Sequence, residues 1–402
     1  MQFKLLNFHK FLSVFATNLV GAFIPLIIYK STNSIVLAML YLFSQCLSRL
    51  LCNHIFKNLY VKYPQLFLML RIIPLTIYNI FLLFIEKYMV VSLIFITICY
   101  GMNLSFKNNA NEILFNYSSG QKKSGAKLAF TRLLENISVV VSSLAGGLFL
   151  DFNKTALILI SLSLYFVSVV PIFIYFIVNR KSTGFNKDFV SNAVLAYKDD
   201  EVMSKKSRKM GKELIISYFF MYMIFCVIDN FTNMYNLHLF IDNPTFTKAG
   251  YITAMFYFAK MIGLFSVQYL VKKFDVYIVS CVSVILNGFA ILAIPYISNN
   301  IIIAILFIIF GFTYEVTSYN MMNSLMAKSR IAGVANSVLL ARQDGIMIGQ
   351  MISSLFVMCV GSIMPVFYLM LFAMIAFAIY FPLREEKMRK NLVNFLQNNE
   401  IE

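Results

Sequence analysis

Twelve runs of about twenty apolar residues, separated by short polar breaks, constrain this chain more than any other feature. A helix needs about 20 residues to cross a bilayer core of about 30 Å. The runs fall at residues 11–29, 35–56, 66–85, 89–106, 126–150, 156–178, 214–241, 249–271, 276–297, 301–324, 334–360 and 364–382. Lipid offers no partner to a peptide group, so each run must be a helix that satisfies its own backbone. The expected fold is an all-α membrane protein of 12 transmembrane helices. Composition agrees: 60% of the 402 residues are hydrophobic and 13% are charged, against about 25% charged in a soluble domain. The first run is too long for a signal-peptide core and has no small-residue cleavage site after it. The six cysteines lie in apolar runs without CxxC spacing, as packing residues do, and not as disulfides or metal ligands. There is no tryptophan, so interfacial anchoring rests on the 23 tyrosines and the basic residues.

The net charge of +16 does not point to nucleic acid, because the basic residues cluster between the spans. Alternate loops hold Lys57, Lys62 and Arg71, then Lys107, Lys122, Lys123 and Lys127, then Lys272 and Lys273, then Lys328 and Arg330. The opposite loops hold only Lys30, Lys87, Lys154 and Lys248. Positive loops stay in the cytoplasm, so both termini and the middle loop are expected there, in a plasma-membrane protein. That middle loop divides the chain into an N-terminal six-helix bundle (1–179), a linker (180–212), a C-terminal six-helix bundle (213–383) and a tail (384–402). The cluster "KKSRK" in the linker suits anionic lipid headgroups.

The halves repeat. "AMLYLF" (38–43) in span two returns as "AMFYFA" (254–259) in span eight. "AFTRLLENISVVVSS" in span five returns as "SVLLARQDGIMIGQM" in span eleven, at a near-equal offset. Two similar halves of six spans are a mark of transporters that rock around a site between them. Here the chain resembles the major facilitator superfamily over nearly its whole length. That family's fifth-span antiporter motif, G-x-x-x-G-P-x-x-G-G, corresponds to "SVVVSSLAGG", where Gly146 and Gly147 keep the final pair and Ser138, Ser142 and Ser143 stand at the other small positions. Its loop motif between spans two and three, G-x-x-x-D-R-x-G-R-R, meets Lys57 and Asn58 here, with Lys272 and Lys273 in the second half and no acidic partner. The span-four arginine of many drug antiporters is replaced by Thr97, four residues before Gly101. The resemblance implies alternating access, and the fifth span leans towards drug efflux.

A charge at mid-bilayer costs about 3 kcal/mol, so polar residues inside the spans are the candidates for function. Asp229, Asn233 and Asn236 fall at i, i+4 and i+7 on one face of span seven, extended by Tyr222 and Cys226. Either this face lines a cavity in which Asp229 binds a proton or a cationic substrate, or it is a polar stripe satisfied by neighbouring helices. Thr253, Tyr257 and Lys260 share a face of span eight, from which Lys260 is within reach of a pair with Asp229 across adjacent helices, as a proton switch or as a static lock. Glu315 in span ten is a second proton carrier, or an acid that meets a basic loop. Asn18 in span one either bonds substrate or packs; His238 reads as an interfacial residue. Arg132 and Glu135, three apart, are expected to meet on one face. Arg342 and Asp344, two apart, point to different faces. These four lie near the inner surface, where they are simply hydrated or form inter-half contacts that close the inside. Ser138, Ser142 and Gly146 on one span, with Gly345, Gly349 and Ser353 on the other, allow close helix approach.

The function these readings favour is secondary active transport of a small molecule: proton-coupled efflux of an amphipathic or cationic compound, with nutrient or metabolite uptake as the alternative. The expected partners are that substrate, protons and the lipid bilayer, with no cofactor and no nucleic acid, in a monomer. A membrane enzyme acting on lipid-linked substrates would need an acid, base or metal cluster on a loop, and none is present. No G-x-x-x-x-G-K-[ST] phosphate loop occurs, so the chain does not drive itself with ATP.

Overall fold

Every expected span is helical in the computed structural model, which describes residues 2–119, 124–182, 205–274, 276–331 and 335–399. Among these residues 12 helical stretches are long and apolar enough to cross a membrane, and there is no strand. Several outrun the expected bounds: span one covers Lys4–Thr32, span four Met89–Leu114, span seven Met210–Asp242, span ten Asn300–Ser329 and span twelve Met364–Asn391. Most of the expected linker lies outside the described residues. Its last part, from Lys205, already begins the span-seven helix, and the expected tail continues span twelve as helix to Asn399. Large apolar side chains such as Phe265, Phe289, Ile301 and Phe372 are more than two-thirds exposed, while Asn79, Asn103 and Ser138 are fully buried. Apolar outside and polar inside is the inversion that a lipid solvent selects.

Two residues assigned to loops lie within membrane-length helical stretches. Arg71 is only 1% exposed within span three and Lys107 lies within span four. Arg71 sits where span three breaks between helices Pro64–Leu70 and Ile72–Leu83. Pro74 has no N–H for the Leu70 carbonyl, which explains the break. Arg71 Nε donates to Asn103 Oδ1 at 3.0 Å.

Helix pairs recur between the halves. Span one packs on five and six, two on four, and three on four and six; seven packs on eleven and twelve, eight on ten, and nine on ten and twelve. Three pairs join the halves, five with eight, two with eleven, and the second segments of one and seven, which is the pairing a twofold relation produces. Glycines mark equivalent approaches. A Cβ on Gly101 of span four would lie 2.6 Å from the Gln45 carbonyl oxygen of span two, and Gly311 of span ten stands in the same relation to Phe256 of span eight. Gly146 meets the Leu19 carbonyl of span one, while Gly345 and Gly349 meet the Phe219 and Met223 carbonyls of span seven. Gly147 faces the other half, where a Cβ would sit 2.7 Å from Phe246 O and 3.2 Å from Gly250 Cα. Ser142 is fully buried beside them, its hydroxyl donating to Val139 O at 3.1 Å.

Spans one and seven are both interrupted, at matching depth. Span one breaks between Gln2–Gly21 and Ile24–Thr32 because Pro25 cannot donate to the Gly21 carbonyl. Span seven passes through a 3-10 turn, Cys226–Asn230, between helices Lys205–Phe225 and Phe231–Asp242. Gly349 presses on that turn, with its Cβ position 3.0 Å from Cys226 C. A 3-10 turn advances about 120° per residue against about 100° in an α-helix. Five residues of it rotate the following helix by about 100° relative to Tyr222. The expected single face from Tyr222 to Asn236 is therefore split.

Candidate functional site

Two cavities lie between the halves at the level of these interruptions, and Asp229 lines both. The first, of about 230 Å³, lies towards the side that carries the termini and is lined by Arg132, Glu135, Tyr222, Cys226, Lys260, Tyr314, Glu315 and Arg342. The second, of about 210 Å³, is lined by Asn18, Tyr41, Gln45, Arg49, Tyr100, Asn233, Phe256, Tyr257 and Gln350. Tyr41 and Tyr257 occupy the same place in the repeated "AMLYLF" and "AMFYFA" and face this cavity from opposite halves.

The Asp229–Lys260 pair is not formed. Asp229 instead accepts from the Tyr314 hydroxyl at 2.5 Å and from Gln350 Nε2 at 3.0 Å, both neutral donors. Lys260 stands 3.5 Å from Glu315 Oε2, with its ammonium 4.8 Å from the ring centres of Tyr257 and Tyr314. Span ten supplies both partners one residue apart, Tyr314 to the aspartate and Glu315 to the lysine. Asn236 is not in either cavity wall and donates to Thr253 Oγ1 at 3.0 Å. Asn18 lines the second cavity while donating to its own helix at Val14 O, 2.9 Å.

Arg132 and Glu135 do not meet each other either. Arg132 Nη1 reaches Glu315 Oε1 across the halves at 2.9 Å, and Glu135 pairs with Lys10 of span one at 2.9 Å. In span eleven, Arg342 Nη1 reaches Glu112 of span four at 2.7 Å. The two inter-half pairs are equivalent, five to ten and eleven to four. Asp344 lies 3.6 Å from His54 Nε2 and accepts from Asn53 Nδ2 at 3.5 Å. Span two thus meets its acid on span eleven and not in its own loop. On the far side, the Asp151 carboxylate at the end of span five accepts from the backbone N–H groups of Phe246 and Thr247 at 3.0 and 2.9 Å, capping span eight from the other half.

Members of this network that the sequence reading passes over include Arg49, Gln343, Glu112 and Gln350. Arg49 donates to Gln343 Oε1 at 2.9 Å, and Gln343 Nε2 passes the contact to Glu112 at 2.8 Å. Arg49 lies inside an apolar run, so the cost of a charge in lipid points to it as strongly as to Asp229. Glu112 lies beyond the expected end of span four, and Gln350 carries no charge to draw the eye.

The sequence profile of the Major Facilitator Superfamily matches residues 6–344. No curated protein matches the chain in sequence. Among solved structures, a bacterial homologue of the iron transporter ferroportin in its inward-facing state superposes with a TM-score of 0.67 at 13% identity, covering 96% of this chain and 98% of that one. An outward-facing structure of such a homologue gives 0.66 at 11% identity, over 96% and 100% of the two chains. The nucleoside transporter NupG gives 0.65 at 11% identity, over 95% and 98%. At such identities the likeness establishes the fold. An integral multi-pass membrane protein of this architecture is a transporter of a small-molecule substrate and not an enzyme, and the chain belongs to the Major Facilitator Superfamily.

Proposed function

We propose that the protein is a proton-coupled exporter of an amphipathic or cationic small molecule, working by alternating access as a monomer in the plasma membrane with both termini in the cytoplasm. The observation that carries this reading is the position of Asp229, in the wall of two cavities at once and held only by neutral donors. A carboxylate placed so exchanges a proton with either side as the halves rock. Lys260, in the same cavity wall as Asp229 and Glu315, is the coupling element. Loss of the Asp229 proton draws the ammonium away from Glu315 and leaves that carboxylate to Arg132 alone, so the protonation of Asp229 is felt at the inter-half pair. One charge moving through 100 mV supplies about 2.3 kcal/mol, which is the scale of one such contact. Arg132–Glu315, Arg342–Glu112 and Asp344–His54 form the inner closure; Asp151 on span eight forms the outer one. Among the described residues no three of His, Cys, Asp and Glu stand together to hold a metal ion, so the iron of one structural neighbour is not carried over.

The test is flux in proteoliposomes under imposed pH and sodium gradients, with a panel of cationic dyes and metabolites. Wild type should drive a dye or metabolite against its gradient when protons run the opposite way. Asp229→Asn should lose that drive while keeping downhill exchange. Retention of pH-driven flux in Asp229→Asn would refute the assignment, and co-directional flux with protons would establish uptake instead of export.

A further inference from the structure

Arg49 and Asp229 stand in the wall of the same 210 Å³ cavity, one from each half. Among the described residues neither is in an ion pair. Arg49 is held through the neutral amide of Gln343, and Asp229 by Tyr314 and Gln350. Every other cation and acid named around the inner closure has an opposite charge beside it. Two opposite buried charges that remain without ionic partners, separated by a cavity, are costly unless something bridges them. Between them the wall is aromatic, with Tyr41 and Tyr100 from the first half and Phe256 and Tyr257 from the second. The volume leaves room for a small molecule.

We infer that the cavity binds a zwitterion: a small molecule with an ammonium group directed to Asp229, a carboxylate directed to Arg49, and a flat or apolar body between the aromatic side chains. This rests on the reading of the cavity as the substrate site, and it narrows the amphipathic or cationic substrate of that reading to an amphipath whose positive charge is balanced by a carboxylate. A compound carrying only a positive charge would lie against the Arg49 guanidinium, and one carrying only a negative charge against the Asp229 carboxylate. Like charges meeting in a desolvated site cost several kcal/mol. A zwitterion brings net zero charge to a wall whose own two charges cancel. Because its two charged ends contact different halves, it also supplies a bond across the interface that the empty site lacks.

The experiment is ligand binding to the purified full-length protein in detergent, without any gradient, read as stabilisation against thermal unfolding. The probes are aromatic and aliphatic amino acids, each with its decarboxylated amine and its deaminated acid: phenylalanine, phenethylamine and 3-phenylpropionate form one such set. At least one amino acid should stabilise the protein at a concentration about tenfold or more below that needed by either single-charge analogue. Arg49→Gln should bring the amine level with the amino acid, and Asp229→Asn should do the same for the acid. The wild-type comparison alone decides the matter if a variant fails to fold. Amines as potent as their amino acids throughout, no binding by any amino acid in the panel, or an unchanged preference in Arg49→Gln would overturn the inference. Gradient-driven flux of a singly charged compound would then leave the transport reading standing. Selective zwitterion binding without pH-driven flux would do the reverse.

Discussion

Removing the Glu315 carboxylate tests whether the inter-half ion pairs hold the inner side shut. Glu315 has a side chain 4% exposed and bridges Arg132 and Lys260, themselves 15% and 14% exposed. Glu315→Gln removes the acid that two buried cations share, leaving Arg132 without its ion-pair partner and Lys260 with only Asp229 in the same cavity wall. Breaking a buried pair costs about 3–5 kcal/mol, chiefly because the orphaned charge stays desolvated. Opening the inner side hydrates both cations, so the penalty falls on the closed state alone. At about 1.4 kcal/mol per factor of ten, the balance shifts by about two to three and a half orders of magnitude towards the inward-open state. Cys226 reports the change, since it is 2% exposed and lines the cavity behind the pair. With Cys226 as the sole cysteine, a membrane-impermeant maleimide added from the side of the termini should label Glu315→Gln at least tenfold faster than wild type. Adding Arg132→Gln removes one orphaned cation and should bring the rate partly back. Labelling of Glu315→Gln at the wild-type rate, or a double variant faster than both singles combined, would refute the closure.

Other consequences follow from single contacts. Gly147→Val and Gly349→Val both meet a carbonyl, but Gly147 faces span eight of the other half and Gly349 faces span seven of its own. Gly147→Val should hold the far side open, seen as faster labelling from that side with a nearly unchanged melting temperature. Gly349→Val should cost about 1–3 kcal/mol of overpacking, seen as a lower melting temperature. Asp151→Asn weakens a helix cap of about 1 kcal/mol and should raise far-side labelling several-fold. Glu86, between spans three and four, has its carboxyl held below the usual range by the hydrogen bond and charge of Lys154. A lowered carboxylate pKa stabilises only above its unfolded value, and that contribution disappears as pH falls through the folded one. The side chain is 72% exposed, so screening leaves about 0–1 kcal/mol. Glu86→Gln should shift the melting temperature slightly at neutral pH and not at all in acid or in 1 M salt.

The number of spans, their order and the repeat between halves were legible in the residues. So were three of the intramembrane charges, Asp229, Lys260 and Glu315. Each of these follows from how one helix meets lipid, a local matter of length and hydropathy that no other span alters. Which charge meets which was settled by helix packing. Arg132 passes over Glu135, three residues away, for Glu315 of the other half; Lys260 takes that same acid and not Asp229; Arg342 finds Glu112. The helical period places side chains correctly only along an unbroken helix, and the 3-10 turn at Cys226–Asn230 shifts that phase midway through span seven. Partners from distant spans are set by how closely two helices approach, which depends on where glycines such as Gly147 and Gly349 fall against a neighbour's backbone. Periodicity in one segment carries no information about its neighbour's rotation, so the pairing became readable only once the bundle was assembled.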